Sequence, residues 1–380
     1  MYISLCEYSP LWLCHAWLVV DCEEARSEEP MIKISTRSTD AIKDDGEFKL
    51  LELDDELVHA LEGDGQLHFK GDRDEDAVLC TTNTTYLLKN RIHSNSLTLL
   101  QGETKDATHD IMHTFHEILE AYKTPPNLDK IDRVLSHRVL LDASNSSSSD
   151  DDSLKYDFDR LASEVQASDD EIRRALSARR IVNFGGELRP VDPQCLLNTL
   201  DLILNTLNMV DMSLANFDKD GLVGAIHKEH SIDKTYLSTV LSWYTTSDTS
   251  IDAIPFAAEM GLCLLKAQTR PRPYEAFVED WKSKAGYELS QVCTLDILKG
   301  AYLMEAGNIF YFTTASLSKV PATRFQELFK MRTKWFAADL LPFIKDLGDN
   351  KEIERMIMKF CRSQTDKSTG METYTSRQRV

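Results

Sequence analysis

The chain has 380 residues, 42% of them hydrophobic, and carries 62 acidic against 43 basic side chains, for a formal net charge of −19. That length and apolar content suffice for two or three domains with real cores. The acidic average repels a phosphate backbone at long range, which excludes general nucleic-acid attraction and confines any such contact to a local basic patch.

Residues 1–45 read as an N-terminal extension without a stable fold. Within it, residues 10–20 (PLWLCHAWLVV) are apolar but too short to span a bilayer, and they lack the basic flank of a signal peptide. A mis-assigned start, a weak targeting segment and a disordered tail all fit. From Phe48 the runs KLLELDDEL, QLHFKGD, AVLCTT, TYLLKN and SLTLL are each bounded by Asp, Gly, Asn or Thr. They predict short strands and a small β-barrel or sandwich over residues 46–140, with a helical turn at LVHAL (57–61). So small a sheet leaves edges that a partner strand or the rest of the chain must cover. His109, His113, His116 and Glu117 stand at i, i+4, i+7 and i+8, which predicts a helix there. Without a fourth ligand or an HExxH base it reads as a polar face, not a zinc site.

Residues 141–153 contain SNSSSSDDD and read as a solvated linker whose serines suit an acidophilic kinase. Beyond it a plan of helices followed by a hairpin recurs, which is the outline of a winged helix. The first copy (154–215) has an amphipathic helix over 157–166, Ser168 capping a helix that starts at Asp169, and a hairpin around Gly185 and Gly186. The second (216–320) has a helix over 274–284, a short helix over 294–299 capped by Thr294, and a hairpin turning at Ala306, Gly307 and Asn308. The third (321–380) runs from RFQELFKMRTKW through a helix over 353–362 to a polar wing over 363–377. The fold class is therefore α+β, a small barrel-forming sheet followed by tandem winged-helix domains. Phe325, Phe329, Trp281, Trp335 and Phe336 fall at helical spacings and are expected in cores rather than as platforms for bases.

Catalytic signatures are missing. No GxxxxGK[ST] loop could hold a triphosphate, Asn216, Asp218, Asp220 and Gly221 open an EF-hand pattern that fails at His227, and there is no GxSxG elbow. The eight cysteines form no CxxC pair, which points to free thiols in a reducing compartment. The chain is expected to be no enzyme and to need no cofactor or metal. Residues 351–380 carry a local net charge of +3. There Lys359, Arg362, Lys367, Arg377 and Arg379 are the candidate DNA contacts, on a recognition helix and its wing.

The segment over residues 48–100 resembles the N-terminal region of the Dcc family of sister chromatid cohesion proteins, through Gly71, Asp72, Ala77, Val78, Leu79, Cys80, Thr85, Tyr86, Lys89, Ser94 and Asn95. The resemblance resumes at QASDDEIRRAL (166–176), RFQELFKMRTKW (324–335), DLLPFIKDL, Tyr374, Ser376 and Arg377. It implies a nuclear subunit of the alternative, cohesion-specific replication factor C clamp loader, joined to that complex's large and small specific subunits and, through them, to the replication factor C small subunits and the clamp PCNA. It implies further that Leu50, Leu51, Leu53, Leu67, Phe69, Val78, Leu79, Tyr86 and Leu88 lie on strands of a shared barrel. The tandem winged helices would meet DNA, the module would tether DNA polymerase epsilon, and no membrane is involved. A free-standing winged-helix transcription regulator is the competing reading, and it would need a distinctly basic recognition helix and its own dimer interface.

Overall fold

The structure is a computed structural model that describes residues 2–6, 15–16, 33–35, 48–62, 67–71, 75–101, 108–144, 155–247, 249–365 and 370–377. The chain divides into two compact units, residues 1–138 with 149–190, and residues 139–148 with 191–380.

The first unit holds a mixed sheet. Its strands are β1 (Tyr2–Cys6), β2 (His15–Ala16), β3 (Lys33–Ser35), β4 (Phe48–Glu52), β5 (His68–Lys70), β6 (Val78–Cys80), β7 (Thr85–Gln101) and β8 (Thr108–Lys123). The order is β2-β1-β4-β8-β7-β6-β5, with β3 beside β8. Strand alternation sends Leu51, Leu53, Leu79 and Tyr86 to one face, where Leu57 of helix α1 (Asp55–Glu62) packs against them. Leu50, Phe115 and Ile118 form a separate apolar cluster with Leu97 and Leu99. The expected runs TYLLKN and SLTLL are one strand, β7, and the helix expected over His109 to Glu117 is strand β8. The i, i+4 spacing that favours a helix is overridden by β8 pairing antiparallel with β7 and parallel with β4.

Three helices and a hairpin complete this unit: α2 (Asp129–Leu135), α3 (Phe158–Glu164), α4 (Asp169–Ala178), β9 (Ile181–Phe184) and β10 (Glu187–Pro190). Ser168 caps α4 as its spacing to Glu171 predicts, with a reciprocal capping box. Gly185 and Gly186, at φ 63° and 83°, make the two-residue turn between β9 and β10, a conformation glycine adopts without strain. Ile131, Leu161, Ile172 and Leu188 bury together beneath these elements. The segment before α4 is bound to the sheet. Lys70 Nζ donates to Ala167 O at 2.7 Å, Gln166 Nε2 donates to Asp76 O at 2.6 Å, and Asp170 N donates to Thr82 O at 3.1 Å. Two of the stretches that carried the family resemblance, around Gly71 to Thr85 and over 166–176, thus meet in one joint.

The second unit begins with a strap in which Leu140 bridges to Val191 and Ala143 O accepts from Asp233 N at 3.4 Å. Helices α5 (Pro193–Met209), α6 (Lys219–His230) and α7 (Lys234–Ser242) precede a hairpin of β11 (Thr245–Ser247) and β12 (Ser250–Ile251). This is a further helix-and-hairpin repeat that the pattern reading did not separate, because its strands are short and polar. Next come α8 (Ala253–Lys266), β13 (Arg272–Pro273), α9 (Tyr274–Ser290), a 3-10 turn over Leu295–Leu298, β14 (Tyr302–Glu305) and β15 (Asn308–Tyr311). The expected short helix is that 3-10 turn, and Thr294 makes no side-chain cap to it. The last elements are α10 (Pro321–Met331), β16 (Lys334–Phe336), α11 (Ala337–Leu340), 3-10 turns over Leu341–Phe343 and Lys345–Leu347, α12 (Asn350–Phe360), β17 (Cys361–Thr365) and β18 (Glu372–Ser376).

Phe325, Leu328, Phe329 and Trp335 are buried in one core with Phe343, Ile353 and Tyr374, and Trp281 is fully buried beside Phe277. Both indoles donate to backbone, Trp281 Nε1 to Ala257 O at 3.0 Å and Trp335 Nε1 to Leu328 O at 3.1 Å. Phe336 departs from the expected core set, because strand alternation after Trp335 turns it outward to 37% exposure. Among the described residues no helix is long and apolar enough to cross a membrane.

Candidate partner edge and nucleic-acid interface

The strand residues expected to carry partner binding build the sheet itself. Leu51, Leu53, Leu79 and Tyr86 are buried around α1, Leu67, Phe69 and Leu88 pack against them, Leu50 lies with Ile118, and Val78 is buried in β6. Burial pushes the Tyr86 phenol up to about 12, helped by Asp54 and Glu56, and its hydroxyl donates to Glu56 Oε2 at 3.4 Å.

What the sheet leaves open is a strand edge. β6 pairs with β7 only at Thr85, Tyr86 and Leu87. Beyond Leu87, among the described residues, nothing pairs with the outer edge of β7 while β8 covers its inner edge to Gln101. Such an edge presents unpaired backbone donors and acceptors to an added strand. The signal for it in the sequence was the run TYLLKNRIHSNSLTLLQ, whose apolar residues continue past Ser94 and Asn95 without a Gly or Pro stop.

In the second unit, three of the expected DNA contacts converge where α12 passes into β17. Arg377 N donates to Phe360 O at 2.9 Å, Arg362 lies opposite Thr375, and Lys359 Nζ stands 5.3 Å from the Phe360 ring. All three side chains are exposed, as are Lys351 and Arg355 on α12, whose buried face carries Ile353. Lys367 and Arg379 lie outside the described residues. Not every cation of this region is available. Arg324 is 1% exposed and donates to Ser318 O at 2.6 Å, Phe343 O at 3.2 Å and Asp346. Arg332 is held by Met304 O and Asp339 and lies 4.9 Å from the Trp335 ring.

Nucleophilic chemistry finds little support in the thiols. Burial raises the Cys80 and Cys195 thiols, and it raises Cys293 to about 11 and Cys361 to about 12, so none of them is a ready thiolate. Asp218, from the incomplete EF-hand pattern, caps α6 by accepting from Gly221 N at 3.0 Å. Among the described residues no cluster of His, Cys, Asp and Glu could hold a metal ion.

A family model described as sister chromatid cohesion protein Dcc1 matches residues 48–344, from the first residue of β4 into the core of the last repeat. The chain belongs to the Dcc1 family. Proteins named sister chromatid cohesion protein DCC1 are similar along most of their length. The one from Homo sapiens is 27% identical over 365 residues, covering 88% of this chain and 90% of the relative. The one from Xenopus tropicalis is 28% identical over 385 residues, covering 94% and 95%, and that of Saccharomyces cerevisiae is 23% identical over 360 residues, covering 84% and 94%. The residues matched by the family model end before α12, so the exposed cations of α12, β17 and Arg377 lie outside that match.

Proposed function

We propose that this chain acts in sister chromatid cohesion as a non-catalytic scaffold subunit of the alternative replication factor C clamp loader in the nucleus. The sheet joins the large and small subunits specific to that loader. Through them the chain meets the replication factor C small subunits and PCNA, while ATP hydrolysis belongs to the partners. The helix-and-hairpin repeats serve as winged helices that touch DNA and tether DNA polymerase epsilon. The observation that carries this reading is the open edge of β7, a long strand whose outer side beyond Leu87 no strand among the described residues pairs with, as an added partner strand would. The relatives' names supply the process, and the exposed cations at the end of α12 supply the DNA contact.

Affinity purification of the tagged chain from cells tests the reading. Recovery of clamp-loader ATPases with a small third subunit is expected. Recovery of promoter-bound homodimers instead would replace it with the transcription-regulator reading, and ATP turnover that follows this polypeptide alone would overturn the non-catalytic role.

A further inference from the structure

Residues 144–152 read SNSSSSDDD, and the spacing within that run is regular. Ser147, Ser148 and Ser149 each have an aspartate three residues on, at Asp150, Asp151 and Asp152. A kinase that reads acid at the third position after its serine finds that pattern at each of them. A phosphate on Ser147 then supplies the same negative charge three residues after Ser144, so one phosphorylation prepares the next. Residues 145–152 lie outside the described residues, and Ser144 is the serine at which the run enters the structure.

Ser144 ends the strap of the second unit and is exposed. Its Oγ donates to Asp142 Oδ1 at 2.7 Å and its N donates to the same oxygen at 2.8 Å, an Asx turn that closes the end of the strap. Behind that turn the strap is held by backbone. Leu140 O accepts from Asp192 N at 3.0 Å, Ala143 O accepts from Asp233 N at 3.4 Å, and Leu140 and Ala143 are both buried. Asp192 and Asp233 are the cap residues of α5 and α7, and their carboxylates already accept from the first free amides of those helices. An anion added at the end of the strap therefore finds the helix starts beside it already served by carboxylates.

We propose that Ser144 is a phosphorylation site of an acidophilic protein kinase, primed by phosphate on Ser147, and that its phosphate frees the strap over residues 140–144 from α5 and α7. In the step itself Ser144 Oγ attacks the γ-phosphorus of ATP. The new Oγ–P bond replaces the bond to the β-phosphate oxygen, ADP leaves, and the hydroxyl proton passes to the kinase's base. Oγ then has no hydrogen to donate to Asp142, and a group carrying about −1.5 to −2 charge faces that carboxylate. Two anions so close repel, so the Asx turn opens and Ala143, one residue back, loses its anchor. Ala143 is buried while the strap is closed, so the kinase acts on the open form, and the phosphate holds the population there.

The test uses the full-length chain with ATP and a purified kinase of that specificity, read by phosphopeptide mass spectrometry and hydrogen exchange. Phosphate is expected at Ser147 before Ser144. Ser147→Ala should lower occupancy at Ser144 by about tenfold or more, and Ser147→Asp should keep it. In the phosphorylated chain the amides of residues 140–144, Asp192 and Asp233 should exchange about tenfold faster, while those of α8 keep their rate. Ser144→Ala, phosphorylated only at the later serines, should show no such acceleration over its own unphosphorylated form. Phosphate confined to residues 147–149, or absent from the run, overturns the site, and occupancy at Ser144 that Ser147→Ala leaves unchanged overturns the priming. Exchange that stays the same or slows once Ser144 carries phosphate, as capture by Lys234 at the start of α7 would cause, overturns the release.

Discussion

Thr85 Oγ1 donates a hydrogen bond of 2.5 Å to Glu171 Oε2 across 86 residues of chain. The same hydroxyl oxygen accepts from Ser168 N at 2.9 Å, and Ser168 Oγ donates to Glu171 Oε2 at 2.7 Å. The start of β7 is therefore built into the capping box of α4. Thr85 and Ser168 are both fully buried.

Thr85→Val keeps the side-chain shape and removes the hydroxyl, so Glu171 Oε2 loses one buried donor and Ser168 N keeps only its bond to Glu171 Oε2 at 3.0 Å. A loss of about 1–3 kcal/mol is expected in denaturant unfolding, because the lost bond is a buried one to a carboxylate. Thr84→Val, at a less buried neighbour outside the capping box, should cost much less. Equal effects at the two positions would deny the joint its role.

Tyr86 provides a pH prediction. Its phenol is raised from 10.0 to about 12 in the fold, chiefly by burial. The neutral form is favoured in the native state, so the stabilisation is complete below pH 10.0 and is lost as pH rises toward about 12. Wild type should lose stability over that window more steeply than Tyr86→Phe, as measured by denaturant midpoints at successive pH values. Parallel curves would contradict the burial of this phenol.

Trp335 and Phe336 are neighbours with opposite fates. Trp335→Ala empties a fully buried site and removes the donor to Leu328 O, so about 3–5 kcal/mol should be lost. Phe336→Ala removes a partly exposed ring and should cost far less. Thermal melts of the two variants decide whether strand alternation holds here.

Lys359→Glu, Arg362→Glu and Arg377→Glu combined should weaken duplex binding alike on all sequences. If each wild-type side chain holds one phosphate, the log-log salt slope should become shallower by about 2.7 units. Fluorescence anisotropy across a salt series measures both quantities, with partner retention as the control for folding. An unchanged slope would remove the end of α12 from the DNA surface.

Local chemistry alone determined much of this chain. Ser168 and Glu171 specify a helix start because a capping box closes within one turn, and Gly185-Gly186 and Ala306-Gly307 specify hairpins because both turn residues take positive φ. The buried stripe of Phe325, Leu328 and Phe329 is legible because a helix repeats its face within four residues. Family membership was readable from the same ordered matches. Tertiary structure decided what depends on residues far apart. The stretch from Thr108 to Lys123 fits helix or strand by local spacing, and only its pairing with β7 and β4 selects the strand. Among the described residues the edge of β7 is open because β6 stops opposite Leu87 while β8 continues; the run TYLLKNRIHSNSLTLLQ signals the long strand, but where its neighbours stop is a relation between three strands. Which cations are available was likewise invisible, since Arg324 and Arg362 are alike in sequence until Phe343 O and Asp346 enclose one and leave the other at the surface.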